Sequence, residues 1–189
     1  MNNKIDLRVI KTYEKLTAAF GEMMRSVPFD DVTVFDLCEK ADIRRATFYK
    51  HFNDKYDFFK SIVGIILTNM DKKVCAITKN SSTKDYILIF VKEIINYLNE
   101  RPKILSNMLK SNAFPVIFDI ITGCTHESLE NHLKSEIEEG MVFATDPDIF
   151  ASFINGGIAT LLIDCFKKRN LTEQEVIAKI EEILNKIFG

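Results

Sequence analysis

Arg44-Arg45-Ala46-Thr47-Phe48-Tyr49-Lys50-His51-Phe52-Asn53-Asp54-Lys55, RRATFYKHFNDK, is the stretch on which the reading of this chain turns. It is too basic and aromatic for an ordinary buried helix and too short to be a domain. Just before it, Thr33 with Asp36 three residues on forms a capping-box-like helix start. The helix that follows, Val34 to Ala41, has room for only two turns, and Asp42-Ile43 makes a tight turn into the quoted stretch. Asp54 with Asp57 repeats the cap pattern and opens a long helix to about Lys79.

Two short helices joined by a tight turn, the second showing basic and hydroxyl residues, form a helix-turn-helix pattern. Val34, Leu37, Ala41, Ile43, Phe48 and Phe52 fall where these helices must pack on each other and on a first helix, expected from about Ile5 to Ser26. Arg44, Arg45, Thr47, Tyr49, Lys50 and His51 lie mostly on other faces. In such a unit the amino-terminal part of the second helix enters the major groove. Arg44 and Arg45 could donate bidentate pairs to guanine edges, and Thr47 could meet a thymine methyl or a phosphate. Tyr49, Lys50 and His51 suit phosphates, which fix orientation without reading sequence. Thr33 and Lys55, at the starts of the flanking helices, are expected on backbone phosphates as well.

Charge follows the same division. Residues 1–60 hold 11 Lys+Arg against 10 Asp+Glu, whereas the whole chain of 189 residues carries a net charge of −2. Positive charge is therefore local to the quoted stretch, which argues for a small basic reading surface rather than a generally basic protein. With 47% apolar and 28% charged residues the composition is that of a soluble globular protein with ample core material. The amino terminus lacks a signal-peptide pattern, and the run 61–67 is far short of a membrane span, so a cytoplasmic protein with no membrane partner is expected. The isolated Cys38, Cys75, Cys124 and Cys165 form no CxxC spacing and read as buried small residues.

Apolar residues recur at three- and four-residue spacing almost throughout, and there are only seven glycines and four prolines. The chain is expected to be all-α, with about nine helices: three in a small head, then a larger helical bundle. Beyond the breaks at 80–83 and 140–147, the pattern predicts helices over 84–99, from Pro102, over 114–139, over 148–168 and, after a capping box of Thr172 with Glu175, over 173–188.

The run TVFDLCEKADIRRATFYKHFNDKYDFF (33–59) resembles the DNA-binding head of the tetracycline-repressor (TetR) family of bacterial regulators. The similar pieces are the Thr-led second helix, the Ala-x-Ile turn, Thr47 to Phe52, and Lys55. The resemblance covers about residues 5–65 and implies an all-α homodimer whose two heads read a palindromic operator and release it when a small molecule binds the body. There are two departures. The turn glycine common in the family is Asp42 here, a residue type that enters left-handed conformations more readily than most. The Ser or Thr that often caps the recognition helix is Arg44. A helix-turn-helix domain over 1–53 and a ligand-binding and dimerisation domain over 54–189 are expected.

Gly156-Gly157 inside a helix costs up to about 1 kcal/mol per glycine relative to alanine. With Phe153, Thr160 and the final helix's Val176, Ile180, Ile183, Leu184 and Ile187, these glycines are similar to the helix pair that forms the dimer interface in this family. Phe90, Ile94, Met108, Phe114, Phe118, Ile121, Phe143 and Phe153 could line a cavity for an apolar effector. His126 and His132 do not share a helix face, and with Cys124 and Glu130 they make no convincing ligand set, so neither a metal nor another cofactor is expected. Nothing assembles a nucleophile, a base and an oxyanion donor, so no catalytic residues and no enzyme are expected. The sequence reads as a dimeric, ligand-responsive transcriptional repressor. The alternative is a dimeric co-regulator or adaptor that uses the same fold to bind another protein.

Overall fold

The computed structural model describes residues 7–79, 81–141, 145–168 and 172–188. Among them there are nine α-helices and no strand: α1 (Leu7–Met24), α2 (Val34–Lys40), α3 (Arg45–Tyr49), α4 (Lys55–Ile77), α5 (Thr83–Asn99), α6 (Pro102–Lys110), α7 (Phe114–Glu138), α8 (Pro147–Ile163) and α9 (Glu173–Phe188). A 3-10 turn spans Phe29–Asp31, and α8 runs on into a π-helical turn, Asp164–Lys168. The all-α reading holds, and the helix ends fall within a few residues of those expected. Of the residues named in the sequence reading, Ile5 and Phe143 lie outside the described residues.

The caps account for the boundaries. Thr33 Oγ1 accepts from the Asp36 amide at 3.1 Å. Asp54 accepts from the amides of Tyr56 (2.8 Å) and Asp57 (2.9 Å). Ser82 and Asp85 form a full capping box at α5, and the Thr172 and Glu175 pair begins α9. Proline stands in the first turn of α6 and of α8, where no amide partner is lost.

The chain divides into two compact units, 1–62 with 101–117, and 63–100 with 118–189. The expected boundary at 53/54 falls inside the first unit, which also takes in α6 and the start of α7. The reason is local bonding. Asn107 Nδ2 donates to the Met24 carbonyl at 2.9 Å, and the Asp30 carboxylate accepts from the amides of Asn112 (2.8 Å) and Ala113 (3.1 Å). The core of this unit is aromatic: Phe20, Phe29, Phe48, Phe52, Phe58 and Phe59 are buried, their rings meeting at centroid distances of 5.0–6.1 Å. In the second unit α9 packs on α5 and α8.

Candidate nucleic-acid interface

The α2–turn–α3 unit is closed by backbone geometry. Asp42 takes φ +53°, the only described non-glycine residue with a positive φ. Its amide donates to the Glu39 carbonyl (3.1 Å) and the Ile43 amide to the Cys38 carbonyl (2.9 Å), the paired bonds of a Schellman closure. The residue type noted in the sequence as a stand-in for glycine therefore carries the left-handed turn itself. Arg44 is extended, and its carbonyl receives the amides of Thr47 (2.8 Å) and Phe48 (3.2 Å). No side chain caps α3, so the Arg44 guanidinium is not drawn back to the helix start.

One residue fixes the orientation of α3: Phe48 is fully buried against Phe52 and Phe58. With Phe48 inward, Arg44, Arg45, Tyr49 and Lys50 are exposed, and Thr47 and His51 are half-buried. The Arg45 guanidinium lies over the exposed ring of Phe35 at 5.5 Å, a cation–π contact that holds it against the surface. Tyr49 is 57% exposed and stands edge-on to Phe48.

Three of the expected contact residues are placed differently. The Lys55 ammonium donates to the carbonyls of Phe29, Asp30 and Val32, each at 3.0 Å. It is half-buried over the Phe29 ring, and burial lowers its pKa against the opposing pull of Asp30 and Asp31. All three ammonium hydrogens are engaged, so Lys55 staples the 3-10 turn to α4 instead of meeting a phosphate. The Thr33 hydroxyl is committed to Asp36 as a helix cap. The His51 ring packs edge-on to Tyr13 at 5.8 Å, which explains its partial burial.

In the second unit the residues expected at a dimer face separate into two sets. Val176, Ile180 and Leu184 are buried within the chain, in which α9 packs on α5 and α8, and this corrects their assignment to an interface. Phe153 (71% exposed), Gly156, Gly157 and Thr160 on α8, with Ile183 and Ile187 on α9, are exposed. A Cβ added at Gly156 or Gly157 would meet nothing within 4 Å, so no packing among the described residues requires either glycine. Ile149, one turn before Phe153, is 62% exposed and extends the apolar face. Among the described residues Pro147–Lys167 is the one helix long and apolar enough to cross a membrane, with a mean hydropathy of 1.7 and 17% of that window buried. The sequence has no uninterrupted apolar run of this length. The helix reaches it because Asn155, Gly156 and Gly157 interrupt the apolar pattern without ending the helix.

The eight apolar residues expected to line one cavity do not form one set. Met108 and Phe114 belong to the first unit, Phe90 is buried, Phe153 faces outward and Phe143 is outside the described residues. None of the eight lines the cleft of about 440 Å³ that lies between α4 and α7 within the second unit. Its walls include Leu67, Asp71, Cys75, Cys124, Asn131 and His132, a mixed polar and apolar lining where an apolar one was expected. The Tyr86 hydroxyl donates to Asp71 Oδ1 at 2.6 Å, and the Tyr86 ring stacks on His132 at 3.4 Å and 6°. Burial first, then Asp71, pushes the Cys75 thiol up to about 11, and burial lowers the His132 pKa against Glu136 and Asp71. His126 points elsewhere. Its Nε2 lies 3.1 Å from both Asp148 Oδ1 and Ser152 Oγ, so the two histidines share no site. Asp71 with Cys75, and His132 with Glu136, are each four apart on one helix face. That spacing was the only signal in the sequence, and nothing in it paired the two helices.

The comparisons with known proteins agree with this geometry. Residues 16–62 match the model of the family described as bacterial regulatory proteins, tetR family. A stretch of 61 residues, 32% of the chain, is 34% identical to the uncharacterized HTH-type transcriptional regulator YxbF of Bacillus subtilis (strain 168), and spans 16% of that relative's length. Thermus thermophilus FadR, a TetR-family transcriptional repressor solved with lauroyl-CoA, has a similar fold at a TM-score of 0.64. It is 12% identical, with 92% of this chain and 91% of that one covered. A TetR-family transcriptional regulator of Pectobacterium atrosepticum is 21% identical at a TM-score of 0.58, with 97% of this chain and 95% of that one covered. At these identities the structural likeness is one of fold. The family match falls on the α1–α4 segment whose turn, buried Phe48 and exposed arginines have just been described, so it is the head, residues 16–62, that is similar to the tetR family of bacterial regulatory proteins.

Proposed function

We propose that the chain is a sequence-specific repressor that binds a palindromic operator as a homodimer and leaves it when a small molecule occupies the body. The observation that carries this reading is the outward set Arg44, Arg45, Tyr49 and Lys50 on a helix pinned from behind by Phe48. Arg44 and Arg45 read base edges in the major groove, and Tyr49 and Lys50 hold phosphates. Dimerisation is supported by the uncovered apolar face of α8 and α9 and by two glycines that no packing among the described residues requires. Two heads are then available for half-sites about one helical turn, ~34–36 Å, apart. Repression and effector binding are supported by the likeness to the Thermus repressor that binds lauroyl-CoA. In this chain α4 supplies residues to both units, and an effector that favours one position of α4 lowers operator affinity.

The test is fluorescence anisotropy with the DNA upstream of the protein's own gene against scrambled DNA, over a salt series. The wild type binds its own upstream DNA tightly and with strong salt dependence, and Arg45→Ala with Tyr49→Ala abolishes the preference. Weak, equal binding to both DNAs, together with retention of a protein partner, would replace this reading with the adaptor. Sedimentation equilibrium tests the dimer: Phe153→Arg, a charge set in the apolar face, gives a monomer.

A further inference from the structure

The geometry points to a divalent-metal site for a zinc-class ion, held by Asp71 and Cys75 of α4 and His132 of α7, at the wall of the cleft in the second unit. One ligand atom from each of the three residues lies within 4.8 Å of the others. Cys75 Sγ is 3.6 Å from Asp71 Oδ1 and 3.8 Å from His132 Nδ1. A tetrahedral ion with metal–sulfur bonds of about 2.3 Å and metal–nitrogen or metal–oxygen bonds of about 2.0–2.1 Å needs donor–donor edges of roughly 3.3–3.6 Å. The two edges that meet at the Cys75 sulfur are therefore nearly the right length before any side chain moves, and the third, from Asp71 to His132, is within 4.8 Å. The cleft beyond it leaves a fourth position for water or a small anionic ligand.

A hydrogen-bonded cluster without an ion explains this arrangement less well. His132 Nε2 is buried without a hydrogen bond, and the Glu136 carboxylate lies 3.4 Å away. A lone pair on Nε2 facing that carboxylate would be repelled, so the proton of the neutral ring belongs on Nε2 and the lone pair on Nδ1. Nδ1 then faces the Cys75 sulfur, whose single hydrogen is directed at Asp71. Asp71 Oδ1 already receives the hydrogens of Tyr86 and Cys75, so the His132 Nδ1 lone pair converges on the sulfur and the carboxylate with no hydrogen of its own, and a cation bound by all three satisfies it. The surroundings are those of a ligand shell: the Tyr86 hydroxyl holds Asp71, and Glu136, itself bonded by Thr83 Oγ1 at 2.7 Å, stands behind His132 as the carboxylate of a carboxylate–histidine–metal relay. Thiolate and imidazole donors select zinc-class ions over magnesium or calcium. The other candidate group, His126 with Glu130 and Asp148, is more exposed and already paired, His126 with Asp148 and Glu130 with Lys134.

The site stands independently of the DNA-binding reading. It is tested on the reduced full chain by titration with Co²⁺ alone, followed by displacement with Zn²⁺. One Co²⁺ per chain is expected, with visible bands of a tetrahedral site and a near-ultraviolet thiolate band. Cys75→Ser removes the thiolate band, and His132→Gln and Asp71→Asn each weaken binding, whereas His126→Gln and Cys165→Ser leave it unchanged. Glu136→Gln weakens binding by about 10–100-fold while keeping the thiolate band. Zn²⁺ raises the melting temperature of the wild type and not of Cys75→Ser; circular dichroism of the metal-free variants shows which are folded, and any one folded variant suffices. Absence of stoichiometric Co²⁺ binding, or a thiolate band that persists in Cys75→Ser, would overturn the proposal. Binding lost only in His126→Gln would move the site to the second group and overturn it as well.

Discussion

The two units invert each other's arrangement of polar and apolar groups. The first keeps a buried cluster of phenylalanines and turns arginine, tyrosine and lysine outward from α3. The second sets Tyr86, Asp71, His132 and Glu136 in a largely enclosed polar network and turns Ile149 and Phe153 outward from α8. Each outward surface is what its interior is not, and each asks for a different partner. A basic, hydrogen-bonding surface on a rigid aromatic base suits a polyanion whose position must be fixed. An uncovered apolar helix face suits another apolar face. The contrast can be tested most severely at the base of α3. Phe48→Ala removes a fully buried ring that holds the recognition helix, at a cost of about 3–5 kcal/mol. Hydrogen exchange should show protection lost over α1 to α3 and kept over α5. Equal loss in both would mean that the units do not hold their cores separately.

A smaller effect distinguishes structure from contact within the first unit. Lys55→Met leaves the carbonyls of Phe29, Asp30 and Val32 without their donor and costs about 2–3 kcal/mol in urea denaturation. Lys50→Ala, on the exposed side of the same unit, leaves stability within about 0.5 kcal/mol. The salt slope of DNA binding should respond the other way, falling by about one for Lys50→Ala and not for Lys55→Met. A slope that falls for Lys55→Met in a fully folded protein would restore Lys55 to the phosphate contacts. The counterpart in the second unit is Tyr86→Phe, which keeps the buried ring and removes only the hydroxyl that holds Asp71. A loss of about 1.5 kcal/mol is expected, measured by the same denaturation.

These pairs also show what the sequence could carry. The head was legible because its parts are contiguous. Thr33 with Asp36, Asp54 with Asp57, and the apolar spacing of Leu37, Ala41, Phe48 and Phe52 specify local structure within one stretch, and the exposed face follows by subtraction. Lys55 was misread for the same reason. Its position beside the recognition helix is local information, whereas its three carbonyl partners lie 23–26 residues away. The body's cleft depends on longer separations. Cys75 and His132 are 57 residues apart, and no spacing rule links two helices whose register is set by packing. Periodicity predicted that α9 has an apolar face; which residues of that face go inward was decided by its packing on α5 and α8, which buries Val176, Ile180 and Leu184 and leaves Ile183 and Ile187 outside.

The smallest expected effect concerns pH and the bonding that brings α6 and the start of α7 into the first unit. Asp30 is partly desolvated, which alone would raise its pKa. The amide of Asn112, the Ser111 side chain, the amide of Ala113 and the nearby Lys55 more than offset this, so its pKa is lowered from the ordinary value of 3.8. A carboxylate whose folded pKa lies below its unfolded value contributes stability that is fully present above the unfolded pKa and is lost as the pH falls through the folded one. Asp30→Asn deletes this contribution, because the neutral amide has no charge to be held. Stability of the two proteins measured by urea denaturation from neutral pH downward should therefore differ by a constant amount to about pH 5 and converge below it. The convergence is the informative part. A difference that stayed constant into acid would show that Asp30 acts only as a hydrogen-bond acceptor, and that its charge contributes nothing to holding 111–113 against the 3-10 turn.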